Sequence, residues 1–199
     1  MTDKLYVYTD GSCLNNGKKN SIGAIGIYFS DTDSDNVGQV IDNEGNKITN
    51  QTMELLAMIQ AFKIIGDKIE NKLINPNVIY VITDSSYVIN CMTKWYKLWE
   101  VSGWINTKKK EVENKELIQL LYELKSKYIV IFKHIRSHQA EPEDKDSDLY
   151  KLWYGNYMAD KLATEACKKY IEEKNQIEEG EEIKTKKVNK SKIKTKLNV

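Results

Sequence analysis

Residues Val78-Ile79-Tyr80-Val81-Ile82-Thr83 form a near-continuous apolar run that follows Pro76 and stops at Asp84. A strand that is apolar at both parities of its two-residue period needs cover on both faces, as in a parallel sheet flanked by helices. That run therefore points to an α/β protein, and 199 residues suffice for one such domain with appendages. Leu5 to Tyr8 reads as a strand delivering Asp10, where the Asp10-Gly11 dipeptide is expected to end it in a turn. Ser21 to Phe29 and Val37 to Ile41 read as two more strands of an antiparallel meander. From Met53 the period changes: Leu55, Leu56, Ile59, Phe62 and Ile65 recur at helical spacing, with capping candidates in Thr49 to Thr52. Ser85-Ser86 opens a second helix toward Trp95, residues 113–126 a third, Tyr128 to Ile135 another strand, and Ala159, Leu162, Ala163 and Ala166 mark a last helix. The expected fold is a five-stranded mixed sheet, an antiparallel meander followed by parallel strands, flanked by helices.

Composition narrows the setting. No apolar run approaches the length of a membrane span, and Met1-Thr2-Asp3-Lys4 leads into strand pattern with no signal peptide, so an intracellular protein of cytoplasm or nucleus, off the membrane and acting as a monomer, is expected. Cys13, Cys91 and Cys167 have no metal-ligand spacing and leave one over in any disulfide scheme, which fits a reducing compartment. The net charge of +1 hides a segregation, because residues 172–182 are mostly Glu whereas 184–196 carry seven Lys and no acid. Low hydrophobicity and dense charge predict a disordered, Lys-rich tail over 172–199, which leaves 1–171 as the globular domain.

Four acids stand at element ends: Asp10 and Asp84 at the carboxyl ends of strands, Glu54 before an amphipathic helix, and Asp160 early in the last helix. The crevice beyond the strand ends is where an open α/β sheet places its sites. Clustered carboxylates repel one another unless cations gather them, and an all-oxygen set favours Mg²⁺ or Mn²⁺ over zinc. Two such ions about 3.5 to 4 Å apart can activate water on one side of a phosphodiester and stabilise the leaving oxygen on the other. Any one of these acids taken singly also reads as a cap or a surface charge.

A second stretch interleaves aromatics with positive charge, from Lys94-Trp95-Tyr96-Lys97-Leu98-Trp99 through Trp104 to Lys108-Lys109-Lys110. Such a mixture suits nucleic-acid backbone and sugar; equally, its tryptophans can pack a small helical subdomain under a solvated lysine loop.

Taken together, Tyr8-Thr9-Asp10-Gly11-Ser12, Thr49-Asn50-Gln51 with Met53-Glu54-Leu55, Thr83-Asp84-Ser85, and Ala159-Asp160-Lys161-Leu162-Ala163 resemble type 1 ribonuclease H over roughly residues 4–170. The resemblance implies a ribonuclease H-like fold and an endonuclease that cuts the RNA strand of RNA/DNA hybrids to 3′-hydroxyl and 5′-phosphate ends. It implies that Asp10, Glu54, Asp84 and Asp160 hold two Mg²⁺ ions, with Mn²⁺ able to substitute, and that His138 is the catalytic histidine. Asn16, Asn50 and Gln51 fall where the family touches RNA 2′-hydroxyls, and Trp95 and Trp99, extended by Tyr87, fall on the protrusion that packs against deoxyribose. Asn114, Lys47 and Thr49 match the residues that grip a DNA phosphate. Turn formation and helix capping are alternative roles for Asn16, Asn50 and Gln51.

The chain also departs from the pattern. Glu100-Val101 stands where two basic residues usually follow the second tryptophan, which should weaken affinity for the backbone. Ser137 replaces a glycine, and the path from His138 to Asp160 is longer than usual, with an insertion at about 140–154 that reads either as a mobile lid or as an extension of the last helix. The family's separate hybrid-binding domain has no counterpart ahead of Asp10, and the Lys-rich tail could compensate or be inert. Two other functions remain open: a related-fold nuclease acting on DNA, and a noncatalytic hybrid-binding module.

Overall fold

The computed structural model describes residues 4–16, 18, 20–41, 48–137 and 139–196, with 178–196 described by backbone alone. Strands β1 (Lys4–Leu14), β2 (Ile22–Tyr28), β3 (Val37–Ile41), β4 (Val78–Thr83) and β5 (Val130–His134) form one mixed sheet in the order β3-β2-β1-β4-β5. The β1–β2 and β2–β3 pairs are antiparallel; β1–β4 and β4–β5 are parallel. Helices α1 (Asn50–Glu70) and α4 (Lys115–Ser126) join the core on one face with Val7, Ile25, Ile27, Ile79 and Val81. Tyr8, Tyr28 and Ile82 pack on the other, against Ala159 of α5 (Asp148–Lys196). The adjacent residues Ile27 and Tyr28, one in each cluster, follow the alternation of a strand covered on both sides.

Three elements differ from the sequence expectation. β1 does not end at Asp10; it continues through Gly11-Ser12-Cys13-Leu14, paired with β2, and the chain turns only at Asn15-Asn16. The Asp-Gly turn preference yields because β2 supplies a partner for each of those residues, from Gly11 opposite Ile25 to Leu14 opposite Ile22. The helix opened by Ser85 is not uniform: α2 (Ser86–Asn90) passes through a π-helical turn, Cys91–Trp95, into α3 (Tyr96–Val101). An extra residue in one turn rotates everything after it about the helix axis.

The third difference is the tail. The chain divides into two compact units, Met1–Cys167 and Lys168–Val199. The second, expected to lack regular structure beyond residue 171, is helical to Lys196. Low hydrophobicity removes tertiary packing but leaves helix propensity untouched. This stretch has no proline and a single glycine, is rich in Glu and Lys, and includes a Lys169–Glu173 pair one turn apart at 3.9 Å.

Candidate active site

Asp10 owes its position to two neighbours. The last β1–β4 pair is Tyr8 with Ile82, so Asp10, two residues on and on the same side as Tyr8, lies just past the end of the parallel ladder. Across the antiparallel pair it faces Gly26, and a Cβ on Gly26 would collide with the Ala159 carbonyl of α5. The missing side chain lets α5 sit against β2 at the residue before Asp160. Gly11 does the same for α1, because a Cβ there would strike the Met53–Glu54 backbone. The first turn of α1 is held by a capping box in which Thr49 Oγ1 accepts from the Thr52 N–H at 3.2 Å and Thr52 Oγ1 accepts from the Thr49 N–H at 2.9 Å. Asp84 is the first residue beyond β4.

These elements bring the acids together. One carboxylate oxygen each from Asp10, Glu54 and Asp84 lie within 4.8 Å of one another, and Asp160 is within hydrogen-bonding reach of Asp10. The four line a cleft of about 360 Å³ with Gly11, Ser12, Asn50, Ser137, Asn156 and Tyr157. Burial pushes the Asp10 carboxyl up to about 7, the negative charges of Asp84 and Asp160 add to the rise, and the Gly11 N–H opposes it. Glu54 is raised well above the carboxylate range by burial and then by Asp10 and Asp84. Asp84 rises through burial, against a Ser137 hydroxyl that donates to it. Glu54 Oε2 is buried with no hydrogen-bond partner. Three converging carboxylate oxygens, an unpartnered oxygen on Glu54, and carboxyls whose ionisation is disfavoured by burial and by one another form a set suited to a hard divalent cation.

The other expected residues separate into groups. Asn16 accepts from the Asn50 N–H at 3.2 Å, which joins the first loop to the start of α1, and Gln51 is exposed beside them. Tyr87, Trp95 and Trp99 make a second group, with rings 6.2 Å and 5.6 Å apart along the series, and Asn114 Nδ2 donates to the Tyr87 hydroxyl at 3.2 Å. Trp104 is buried edge-on against Tyr96, so the packing alternative holds for that tryptophan whereas Trp95 and Trp99 stay half-buried. Thr49 is occupied by the capping box. Lys47 and His138 lie outside the described residues.

Several cleft residues escaped the sequence reading. Asn156 is buried with its Oδ1 unpartnered. Trp153, Asn156 and Tyr157 sit seven, four and three residues before Asp160, so carrying the last helix backward from Asp160 would have placed them on its face.

A family model described as RNase H matches residues 2–168. The chain belongs to the RNase H family. It is accordingly an enzyme of the hydrolase class. The Ribonuclease H of Clostridium botulinum (strain Hall / ATCC 3502 / NCTC 13319 / Type A) is 33% identical over 168 residues, 84% of this chain and 97% of that relative. Ribonuclease H1 of Mus musculus is 35% identical over 168 residues, 84% of this chain and 52% of that relative. Among solved structures, LC9-RNase H1, described as a type 1 RNase H with the type 2 active-site motif, has a TM-score of 0.59 at 25% identity, over 84% of this chain and 73% of that one. Among the described residues of this RNase H chain, no helix is long and apolar enough to cross a membrane.

Proposed function

We propose that the chain is an endonuclease that hydrolyses the RNA strand of RNA/DNA hybrids, leaving 3′-hydroxyl and 5′-phosphate ends. The observation that carries this reading is the convergence of the Asp10, Glu54 and Asp84 oxygens within 4.8 Å, beside Asp160, in a member of the RNase H family. Asp10, Glu54, Asp84 and Asp160 would hold two Mg²⁺ ions, or Mn²⁺, which when bound supply activation of the attacking water and stabilisation of the leaving oxygen.

The chain's own residues do the rest. Asn16, Asn50 and Gln51 present short donors and acceptors to the RNA 2′-hydroxyls, the group that separates RNA from DNA. Trp95 and Trp99, with Tyr87 beside them, pack against deoxyribose, and Asn114 with Lys47 and Thr49 holds a DNA phosphate. The His138 imidazole moves a proton on the leaving-group side near neutral pH, a role that rests on its place in the sequence. The catalytic body is 1–171 with the protrusion at about 94–111, and the protein works as a monomer in cytoplasm or nucleus.

A panel of RNA/DNA hybrid, double-stranded DNA and double-stranded RNA, each with Mg²⁺ and with EDTA, tests the reading. Cleavage confined to the RNA of the hybrid and abolished by EDTA is expected. Cutting of DNA would favour the related-fold DNA nuclease, and hybrid binding with a zero rate in saturating Mg²⁺ or Mn²⁺ would favour the noncatalytic module. Asp10→Asn should keep the fold and lose cleavage, because an amide is a poorer metal ligand than a carboxylate; a wild-type rate in that variant would sink the assignment.

A further inference from the structure

The second half of the insertion, from Asp148, forms the first turns of α5, which carry two aromatic stripes with different surroundings. Tyr150 and Tyr154 stack 5.9 Å apart, and Tyr154 is committed to the sheet side: its hydroxyl donates to Asp31 at 2.9 Å and its ring meets Tyr28 edge-on. Trp153 and Tyr157 make the other stripe. Their rings are near-parallel, 7° apart in plane with centroids at 5.4 Å, and both line the cleft that contains the four acids.

We propose that Trp153 and Tyr157 form a subsite that packs against the ribose of the cleaved strand beside the scissile phosphate. This inference rests on the hybrid-cleaving reading above. Trp153, Tyr157 and Asp160 share one face of α5, so the aromatic surface begins at the acids and reaches about 10 Å along the helix axis, roughly three nucleotide steps.

The choice of ligand follows from what a duplex offers from the side. Base faces are covered by their neighbours, phosphates are matched by cations, and an aromatic plane is left with the sugar, whose carbon face it can cover. The Asn16–Asn50 pair handles hydroxyls near the start of α1, and Asn50 borders the same cleft. Sugar carbons and sugar hydroxyls would thus be met by different elements of one site.

The pair is also held ready. The Trp153 indole N–H donates to the Gln139 carbonyl at 3.0 Å, and its ring lies 5.6 Å from Tyr150, so little side-chain freedom is left to lose on binding. Tyr157 is 44% exposed, a large apolar plane open to solvent within a cleft. Packing of α5 onto the sheet runs through Tyr154, Gly155 and Ala159 and needs neither Trp153 nor Tyr157.

Steady-state kinetics on an RNA/DNA hybrid, with Tyr157→Ala, Tyr157→Phe and Trp153→Phe beside the wild type, test the subsite. Tyr157→Ala should raise KM about five- to tenfold, the lower part of what aromatic–nucleotide contacts contribute, with kcat within about twofold. Tyr157→Phe keeps the plane and should restore the wild-type KM. Trp153→Phe keeps a ring but loses the bond to Gln139, and should raise KM less than Tyr157→Ala does. A wild-type KM in Tyr157→Ala would overturn the subsite while leaving hybrid cleavage intact. Equal losses in Tyr157→Phe and Tyr157→Ala would make the hydroxyl the active part and overturn it too. A wild type that cuts no hybrid would remove the proposed function, and the subsite with it, before any variant is compared.

Discussion

At the scale of single residues, the acids make a trade between stability and metal binding that can be measured without substrate. Asp10 has its carboxyl raised to about 7, so between the ordinary carboxylate range and pH 7 the folded protein holds a proton that the unfolded chain has released. Stability contributed by that proton is complete at low pH and is lost as pH rises through about 7. Glu54 and Asp84 are shifted in the same direction. In EDTA the melting temperature of the wild type should therefore fall from pH 5 to pH 8 by more than that of Asp10→Asn, and added Mg²⁺ should raise it more at pH 8 than at pH 5. Parallel pH profiles for wild type and variant, followed by differential scanning fluorimetry, would refute the burial argument. The acids were legible in the sequence because each stands in a short motif at an element boundary. Asn156 was not, because a lone polar residue on a helix face carries no sign of burial until α5 is placed on the sheet.

At the scale of elements, the site is assembled where side chains are missing. Gly11 and Gly26 admit α1 and α5 against the sheet, and in both cases the obstacle to a Cβ is backbone, which cannot swing aside. Gly11→Ala should cost about 3 kcal/mol and displace Glu54 from Asp10, so kcat should fall further than the remaining folded fraction explains. A variant with wild-type melting temperature and kcat would show that α1 has room to move. Far from the cleft, the Lys68 side chain, 13% exposed, binds Asp33 at 2.7 Å and Asp35 at 2.9 Å and lies over the Phe29 ring at 4.8 Å, pinning the β2–β3 loop to the end of α1. Lys68→Met should cost about 2 kcal/mol, reduced from the value for fully buried pairs because Asp35 is largely solvated, and leave kcat unchanged. Urea denaturation with parallel kinetics checks both halves of that statement. The change from two-residue to helical spacing made the order of these elements readable in advance. The extent of β1 was not readable, since the pull of β2 on Gly11 to Leu14 is a long-range pairing that outweighs the local Asp-Gly turn preference. The π-helical turn was not readable either: Cys91 and Met92, the buried residues of that turn, are adjacent in sequence and so mark no helical period.

At the scale of the whole molecule, the balance that matters is electrostatic. The protrusion is short of cationic charge where it carries Glu100-Val101: Glu100 is tied to Lys97 at 3.0 Å, and Val101 is 89% exposed with no charge to offer a phosphate. The seven lysines of 184–196 gather positive charge that the first 171 residues lack, since those residues alone are net negative by one charge, 22 basic against 23 acidic side chains. If the tail supplies the attraction that the protrusion lacks, a chain ending at residue 171 should keep its kcat, show a raised KM at low salt, and lose salt dependence. Every phosphate deprived of its lysine lowers the slope of log KM against log salt by about 1. Restoring charge on the protrusion instead, with Glu100→Lys and Val101→Lys in the truncated chain, should bring back part of that slope. An unchanged slope on truncation would assign the tail no part in binding and leave the phosphate contacts to the lysines of the first 171 residues, Lys108-Lys109-Lys110 among them.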